Sequence, residues 1–132
     1  MRDAVAIVIE QAGRFVAIRR AAGVARPGYW SPPTGRLEPG EAQPDAVRRE
    51  AQEELGLIVR PQGKVWECIT DDAAWRLHWW IAHTDDVALH PDPGEVAEAR
   101  WVTPTEFLQL EPIFAQHRDF FARRAIGEFA AR

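Results

Sequence analysis

The sequence predicts an α/β domain, on three observations. Runs rich in Val, Ile, Trp and Thr, from Val5 to Ile9, Arg14 to Arg19, Lys64 to Thr70, Trp75 to His83 and Ala99 to Val102, read as strands. Between the second and third runs lies an amphipathic helix, Pro44 to Leu55, whose Val47, Ala51 and Leu55 form a narrow apolar stripe suited to docking on a sheet. A second helical period, Ile113, His117, Phe120, Phe121, Ala125 and Phe129, comes after the last strand and packs on the same sheet or at a subunit interface. With 132 residues the expectation is one domain, 1–132, able to bury about two thirds of its unfolded surface.

Each element has a local reason. Val5 to Ile9 is apolar on both alternating faces, as a strand covered on both sides is, and Gly13 marks a turn into Arg14 to Arg19, so the chain opens as a hairpin. Ala21 to Gly28 is a loop. Tyr29-Trp30-Ser31-Pro32-Pro33-Thr34 is a stiff approach to Gly35, because its two prolines fix φ and remove two backbone donors. The Pro44 helix has legible ends: proline at its first position, Asp45 at the positive end of the dipole, and Gly56 in the left-handed site just past its end. Ile58-Val59 starts a short strand and Pro61-Gln62-Gly63 turns the chain. Lys64 to Thr70 and Trp75 to His83 then pair antiparallel about the Asp71 to Ala74 turn. Alternation puts Trp75, Leu77, Trp79 and Ile81 on one face and Arg76, His78, Trp80 and Ala82 on the other. Asp86 to Gly94 is a loop, and Thr103-Pro104-Thr105-Glu106 is a capping box that opens a short helix through Phe107 and Leu110.

Composition narrows the function classes. A formal charge of −4 argues against broad electrostatic binding to nucleic acid or anionic lipid. The single cysteine, Cys68, excludes an internal disulfide and reads as a small apolar residue in a reducing compartment. The apolar run Ala4 to Ile9 is too short for a signal peptide or a membrane span. The expectation is a cytoplasmic protein with no stable nucleic-acid partner and no membrane, a monomer or a homodimer. His78, His83, His90 and His117 follow no ligand pattern and are assigned no metal.

The chemistry is concentrated between Gly35 and Leu57, GRLEPGEAQPDAVRREAQEELGL. At about 100° per residue, Glu50, Glu53 and Glu54 fall within an arc of roughly 100° on the helix, so three like charges crowd one face. Clustered carboxylate oxygens suit a hard cation, Mg²⁺ above all when phosphates complete its shell. Arg49 lies four residues before Glu53 and is placed to orient that carboxylate. Glu54 falls about 20° from Val47, beside the apolar stripe, where an unpaired carboxylate is costly unless it binds a metal.

The spacing Gly-x5-Glu-x7-Arg-Glu-U-x-Glu-Glu-x-Gly-U, with U aliphatic, is filled by Gly35, Glu41, Arg49, Glu50, Ala51, Glu53, Glu54, Gly56 and Leu57, and it resembles the signature box of the Nudix hydrolases, MutT-type members in particular. With seven fixed letters at about one in fifteen each and two loosely aliphatic positions, a chance match at a given start is on the order of one in a billion. The resemblance implies an α/β/α sandwich around a mixed sheet. It implies Mg²⁺ or Mn²⁺ held by Glu50, Glu53 and Glu54, with the Gly35 carbonyl and an extra carboxylate, Glu95 ahead of Glu98, from a loop outside the box. It gives Glu41 a supporting role and leaves Glu50 or Glu95 as the proton acceptor. Two positions depart from the family pattern: Thr34 stands where glycine is frequent, and its β-branch resists positive φ, while Ala51 is small for its aliphatic position.

The implied activity is a metal-dependent pyrophosphohydrolase acting on a small-molecule nucleoside diphosphate derivative, with the short chain favouring a nucleoside triphosphate. Arg19 and Arg20 hold non-reacting phosphates or are solvated strand-end charge, and Trp30 stacks on a base or packs in the core. The competing classes are a nucleotide-binding module without turnover, which loss of box carboxylates would favour, and an interaction domain, which leaves the crowded glutamates unexplained.

Overall fold

The computed structural model describes residues 1–129. Strands β1 (Arg2–Gln11), β2 (Arg14–Arg20), β3 (Trp30–Ser31) and β4 (Thr34–Arg36) precede helix α1 (Gln43–Leu55). Strands β5 (Arg60–Ile69), β6 (Trp75–His83) and β7 (Val96–Val102) come next, then helices α2 (Pro104–Phe107) and α3 (Ala115–Ala125). The strands form one mixed sheet in the order β3-β2-β1-β6-β5, with β4 added on β1 and β7 on β2. β1 runs parallel to β6, and the other pairs are antiparallel.

Alternation along β1 divides the core in two. Ala4, Ala6 and Val8 join Leu77, Trp79, Ile81, Phe107, Phe120 and Phe121 beneath α2 and α3. Val5, Ile7 and Ile9 join Val16, Ile18, Val47, Ala51 and Leu55 beneath α1. A central strand covered on both faces has no polar face to spare, which is why β1 is apolar throughout its middle. On the α3 side the packing is aromatic: Phe15 stacks on Phe121 at 4.2 Å between centroids and Trp79 on Phe120 at 4.2 Å. The result is the α/β/α sandwich around a mixed sheet.

What positions the site is a split in this sheet. β1 and β2 are paired only beside their hairpin turn, at Glu10 with Phe15 and Gln11 with Arg14. Beyond that point β1 takes β4 as its partner and β2 takes β3 and β7. The diverging strands leave a cleft that reaches from the α1 side to the α3 side.

Several local expectations change. α2 ends at Phe107, so the short helix does not run through Leu110. Pro61-Gln62-Gly63 does not turn the chain but lies within β5, which already begins at Arg60. The strand is at the sheet edge and carries register shifts between Pro61 and Gly63 and between Lys64 and Trp66, so the missing proline N–H costs no ladder bond. Ile58-Val59 lies before that strand, outside it. Ala42 is the N-cap of α1, so Pro44 takes the second helical position. Ile113 and Phe129 flank α3 without belonging to it, although both still pack on the aromatic core.

Candidate active site

The site begins with the end of α1. Gly56 takes the left-handed conformation (φ 67°) past the helix, as its lack of a Cβ permits, and its N–H donates to the carbonyls of Ala51 and Gln52. Two further carbonyls of the last turn are met from outside: His90 N–H donates to Leu55 O (2.9 Å) and Asp92 N–H to Glu54 O (2.9 Å). That docking brings the loop before β7 against the helix end. Asp92 O then accepts from the N–H groups of Glu95 (3.0 Å) and Val96 (2.8 Å), which sets Glu95 beside Glu54.

Arg49 organises the opposite flank. Its Nε and Nη2 donate to the two oxygens of Glu41, each at 2.9 Å, and Nη2 also reaches the Arg36 carbonyl at 3.0 Å. Its Nη1 donates to Glu50 Oε1 (2.8 Å) and Glu53 Oε2 (3.2 Å). This bidentate pairing holds the Glu41 carboxyl down to about 2 and raises the guanidinium. Arg49 therefore ties α1 to the loop after β4 and fixes Glu50.

The box carboxylates separate into two environments. Glu54 is 7% exposed, and its Oε2 has no hydrogen-bond partner. Burial, reinforced by the charges of Glu50 and Glu95, pushes Glu54 up to about 9 against the pull of Arg20. Glu50 is also raised, mainly by burial, with Arg49 opposing. Glu53 points outward with 58% of its side chain exposed, held by Arg49. The helical wheel contains this distinction: Glu53 lies about 120° from Val47 and Glu54 about 20°.

Gly35, in β4, lies directly against Glu50. A Cβ on it would come within 2.0 Å of Glu50 Cδ and 2.4 Å of Oε1, so the glycine makes room for the carboxylate. Thr34 is also in β4 and is not among the positive-φ residues, so its β-branch meets no strain and the expected obstacle at that position does not arise.

Glu54, Glu95, Gly35, Arg20 and Arg36 line one cavity of about 530 Å³ that occupies the cleft between β1 and β2. The two strand-end arginines part company by alternation. Arg20 lines the cavity with its Nε donating to Ala25 O (2.6 Å), whereas Arg19 pairs with Glu98 at 3.6 Å and lies outside its walls. Trp30 is 5% exposed, packed in the core with the Arg100 guanidinium 4.6 Å from its ring centre, and it too lies outside the cavity walls. Sequence reasoning missed three basic wall residues, Arg2, Arg26 and Arg36, and the α3 residue His117. Arg2 and His117 come from opposite ends of the chain, and no local pattern signals that they meet.

The donor set fits a divalent cation. A buried carboxylate with an unpartnered oxygen, two further carboxylates within electrostatic range and a glycine clearing space beside them form an anionic floor under a basic rim. Among the described residues, no three His, Cys, Asp or Glu side chains close into a cage by themselves. An ion here would take further oxygens from phosphate or water, as Mg²⁺ does.

The sequence model of the NUDIX domain matches residues 1–124. The isopentenyl-diphosphate Delta-isomerase of Agromyces mediolanus is 38% identical over 109 residues, 75% of this chain and 52% of that protein. The CTP pyrophosphohydrolase of Escherichia coli K12 is 31% identical over 109 residues, 83% of this chain and 81% of that protein. The chain spans 64%, 52% and 39% of three curated relatives that it matches. In fold it is similar to the MutT protein of Methanosarcina mazei Go1, with a TM-score of 0.81 at 24% identity over 96% of both chains. The box, the split sheet and these likenesses agree: the chain belongs to the Nudix hydrolase family.

Proposed function

We infer that this protein is a divalent-metal-dependent pyrophosphohydrolase that cleaves the diphosphate linkage of a nucleotide-type substrate. The observation that carries the reading is Glu54, a buried carboxyl with an unpartnered oxygen at the floor of a cavity whose other walls include Arg20 and Arg36. Such a group is costly unless a cation or proton balances it, and a cation together with a diphosphate answers both the acidic floor and the basic rim. When bound, Mg²⁺ or Mn²⁺ supplies charge neutralisation at the phosphate oxygens and Lewis acidity toward water.

The protein's own groups divide the remaining work. Glu50 and Glu54, with Glu95 at the rim, are the ligand carboxylates, and the Gly35 carbonyl is a further donor. Arg49 keeps Oε1 of Glu50 engaged and so fixes that carboxylate beside Glu54. Glu50 and Glu95 are the two groups able to take the proton from attacking water. Glu53 contributes through Arg49, as a brace on the guanidinium, instead of facing the cavity. Arg20, with its Nε committed to Ala25 O, keeps both Nη groups for a phosphate.

A nucleoside triphosphate is the favoured substrate, in keeping with the activity for which the E. coli relative is named, at 81% coverage. The 38% identity with an isomerase of a diphosphate favours a second reading, in which the diphosphate is held while the group attached to it is rearranged. Incubation of the protein with nucleoside triphosphates, ADP-ribose, dinucleotide polyphosphates and isopentenyl diphosphate, with Mg²⁺ or Mn²⁺ and with chelator, separates these. Phosphoanhydride cleavage lost on chelation is the expected result. Rearranged isopentenyl diphosphate without cleavage of any anhydride would overturn it in favour of the isomerase.

A further inference from the structure

An ion pair ties the two banks of the cleft together. Arg26, in the loop after β2, and Asp71, in the turn between β5 and β6, both line the cavity, and Arg26 Nη2 donates to Asp71 Oδ1 at 3.1 Å. Both side chains are nearly half exposed, at 43% and 47%, so they meet at the mouth of the cavity and not on its floor. Phe114, the residue before α3, closes a third side: its ring centre lies 4.7 Å from that of Tyr29 and 5.8 Å from the Arg26 guanidinium. Segments far apart in the chain thus converge on one guanidinium.

The loop that carries Arg26 has little apolar packing to hold it down. Ala22, Gly23, Ala25, Arg26 and Pro27 are exposed, and a segment of that kind opens at low cost. Its base is fastened where Ala21 N–H donates to Glu95 O (3.0 Å), Gly28 N–H to Arg20 O (2.9 Å) and Arg20 Nε to Ala25 O (2.6 Å). Arg26 takes a left-handed φ of 52° directly before Pro27, whereas a following proline favours extended backbone. Such a conformation persists where surrounding contacts hold it, and here the contact across the cleft is Asp71. Asp72, next to it, shares the cavity wall but not the bridge: it accepts from Thr70 Oγ1 (2.6 Å) and Ala74 N–H (3.0 Å).

A bridge at the mouth bears on ligand size. The cavity, at about 530 Å³, lies in the range of about 300–1,000 Å³ that encloses one small ligand. A mononucleotide with its diphosphate between the carboxylate floor and Arg20 is of that size class. A dinucleotide carries a second nucleoside, which has to pass between Arg26 and Asp71 and so break their contact.

We propose that the Arg26–Asp71 bridge is a gate that sets ligand size, so that the closed cleft takes free mononucleotides in preference to dinucleotides. This rests on the reading of the cavity as a nucleotide diphosphate site, but its test does not need turnover. Amide hydrogen exchange of the loop Ala21 to Gly28 is followed in ligand-free wild type, Asp71→Ala, Asp72→Asn and the reversed pair Arg26→Asp with Asp71→Arg. Calorimetry in chelator then compares the best-binding common nucleoside triphosphate with the dinucleoside tetraphosphate of the same base. Loss of an exposed pair should speed loop exchange by about two- to fivefold in Asp71→Ala, with Asp72→Asn and the reversed pair close to wild type. The wild type should favour the mononucleotide, and Asp71→Ala should narrow that preference by about the same factor. Asp72→Asn removes an equal charge from the same wall and should keep the preference. Unaltered loop exchange in Asp71→Ala, a preference narrowed equally by Asp72→Asn, or a wild type that does not favour the mononucleotide would each overturn the proposal. If the differences hold while no substrate is cleaved in the metal-loaded assay, the hydrolase reading fails and the gate stands. If cleavage proceeds but Asp71→Ala leaves the size preference unmoved, the gate fails and the hydrolase reading stands.

Discussion

Substitution of Gly35 by alanine is the most exacting single test of the carboxylate floor. Gly35 lies in an extended strand, outside the left-handed region, so the backbone itself accepts alanine. The obstacle is Glu50. The added Cβ would stand 2.0 Å from its Cδ where ordinary contact begins near 3.4 Å, so the carboxyl must retreat by about 1.4 Å. Overpacking of that kind costs about 1–3 kcal/mol, a fall of roughly 3–10 °C in Tm for a chain of this size. Displacing a reacting carboxylate by an ångström costs about 10²-fold in rate. The assay pairs kcat/KM on the best substrate with thermal unfolding, in the wild-type and the Glu50→Ala backgrounds. With Glu50 shortened the clash is gone, so Gly35→Ala should then change stability by no more than about 0.5 kcal/mol. Near wild-type kcat/KM in the single variant, or an equal stability loss in both backgrounds, would rule out this role for the glycine.

Two further outcomes rest on the same geometry. In metal-free protein the Glu54 carboxyl, pushed up to about 9, keeps its proton where the unfolded chain loses it near 4.5. The native state then binds the extra proton between those values, so stability is fully present below about pH 4.5 and declines as pH rises toward about 9, by on the order of a few kcal/mol. Urea titrations in chelator across that range should record the decline, and Glu54→Gln should flatten it; an unchanged slope in the variant would count against the assignment. Gly56→Ala forces a side chain into the left-handed conformation and brings a Cβ to 3.1 Å from His90 Cβ, so it should cost about 1–2 kcal/mol. Chemical denaturation measures that loss, and an unaffected variant would show that the helix end is not built as described.

The box is legible in the sequence because its constraints are local. Gly56 ends the helix, the Val47-Ala51-Leu55 stripe docks it, and Glu54 is buried beside that stripe, all consequences of a 3.6-residue period. The faces of β6 are legible for the same reason at period two. Pro61 misleads because proline punctuates a central strand but is harmless at a sheet edge, and edge position is a tertiary property. Arg19 and Arg20 look alike in sequence, yet adjacent strand positions face opposite ways, and only Arg20 reaches the cavity. The cavity itself depends on β1 and β2 parting after two paired positions. No sequence pattern announces where two strands separate, so Arg2, Arg26, Arg36 and His117 become site residues only in three dimensions.

The proposed chemistry turns on Glu54 holding the cation that turnover requires. Its sharpest test is the rate of cleavage of the best substrate by wild type and Glu54→Gln over a Mg²⁺ titration, with thermal unfolding of both proteins alongside. The expected result is at least about a 10²-fold loss of kcat in the variant at every Mg²⁺ concentration, with a Tm at or above that of the metal-free wild type. Wild-type turnover from a folded Glu54→Gln protein would contradict it.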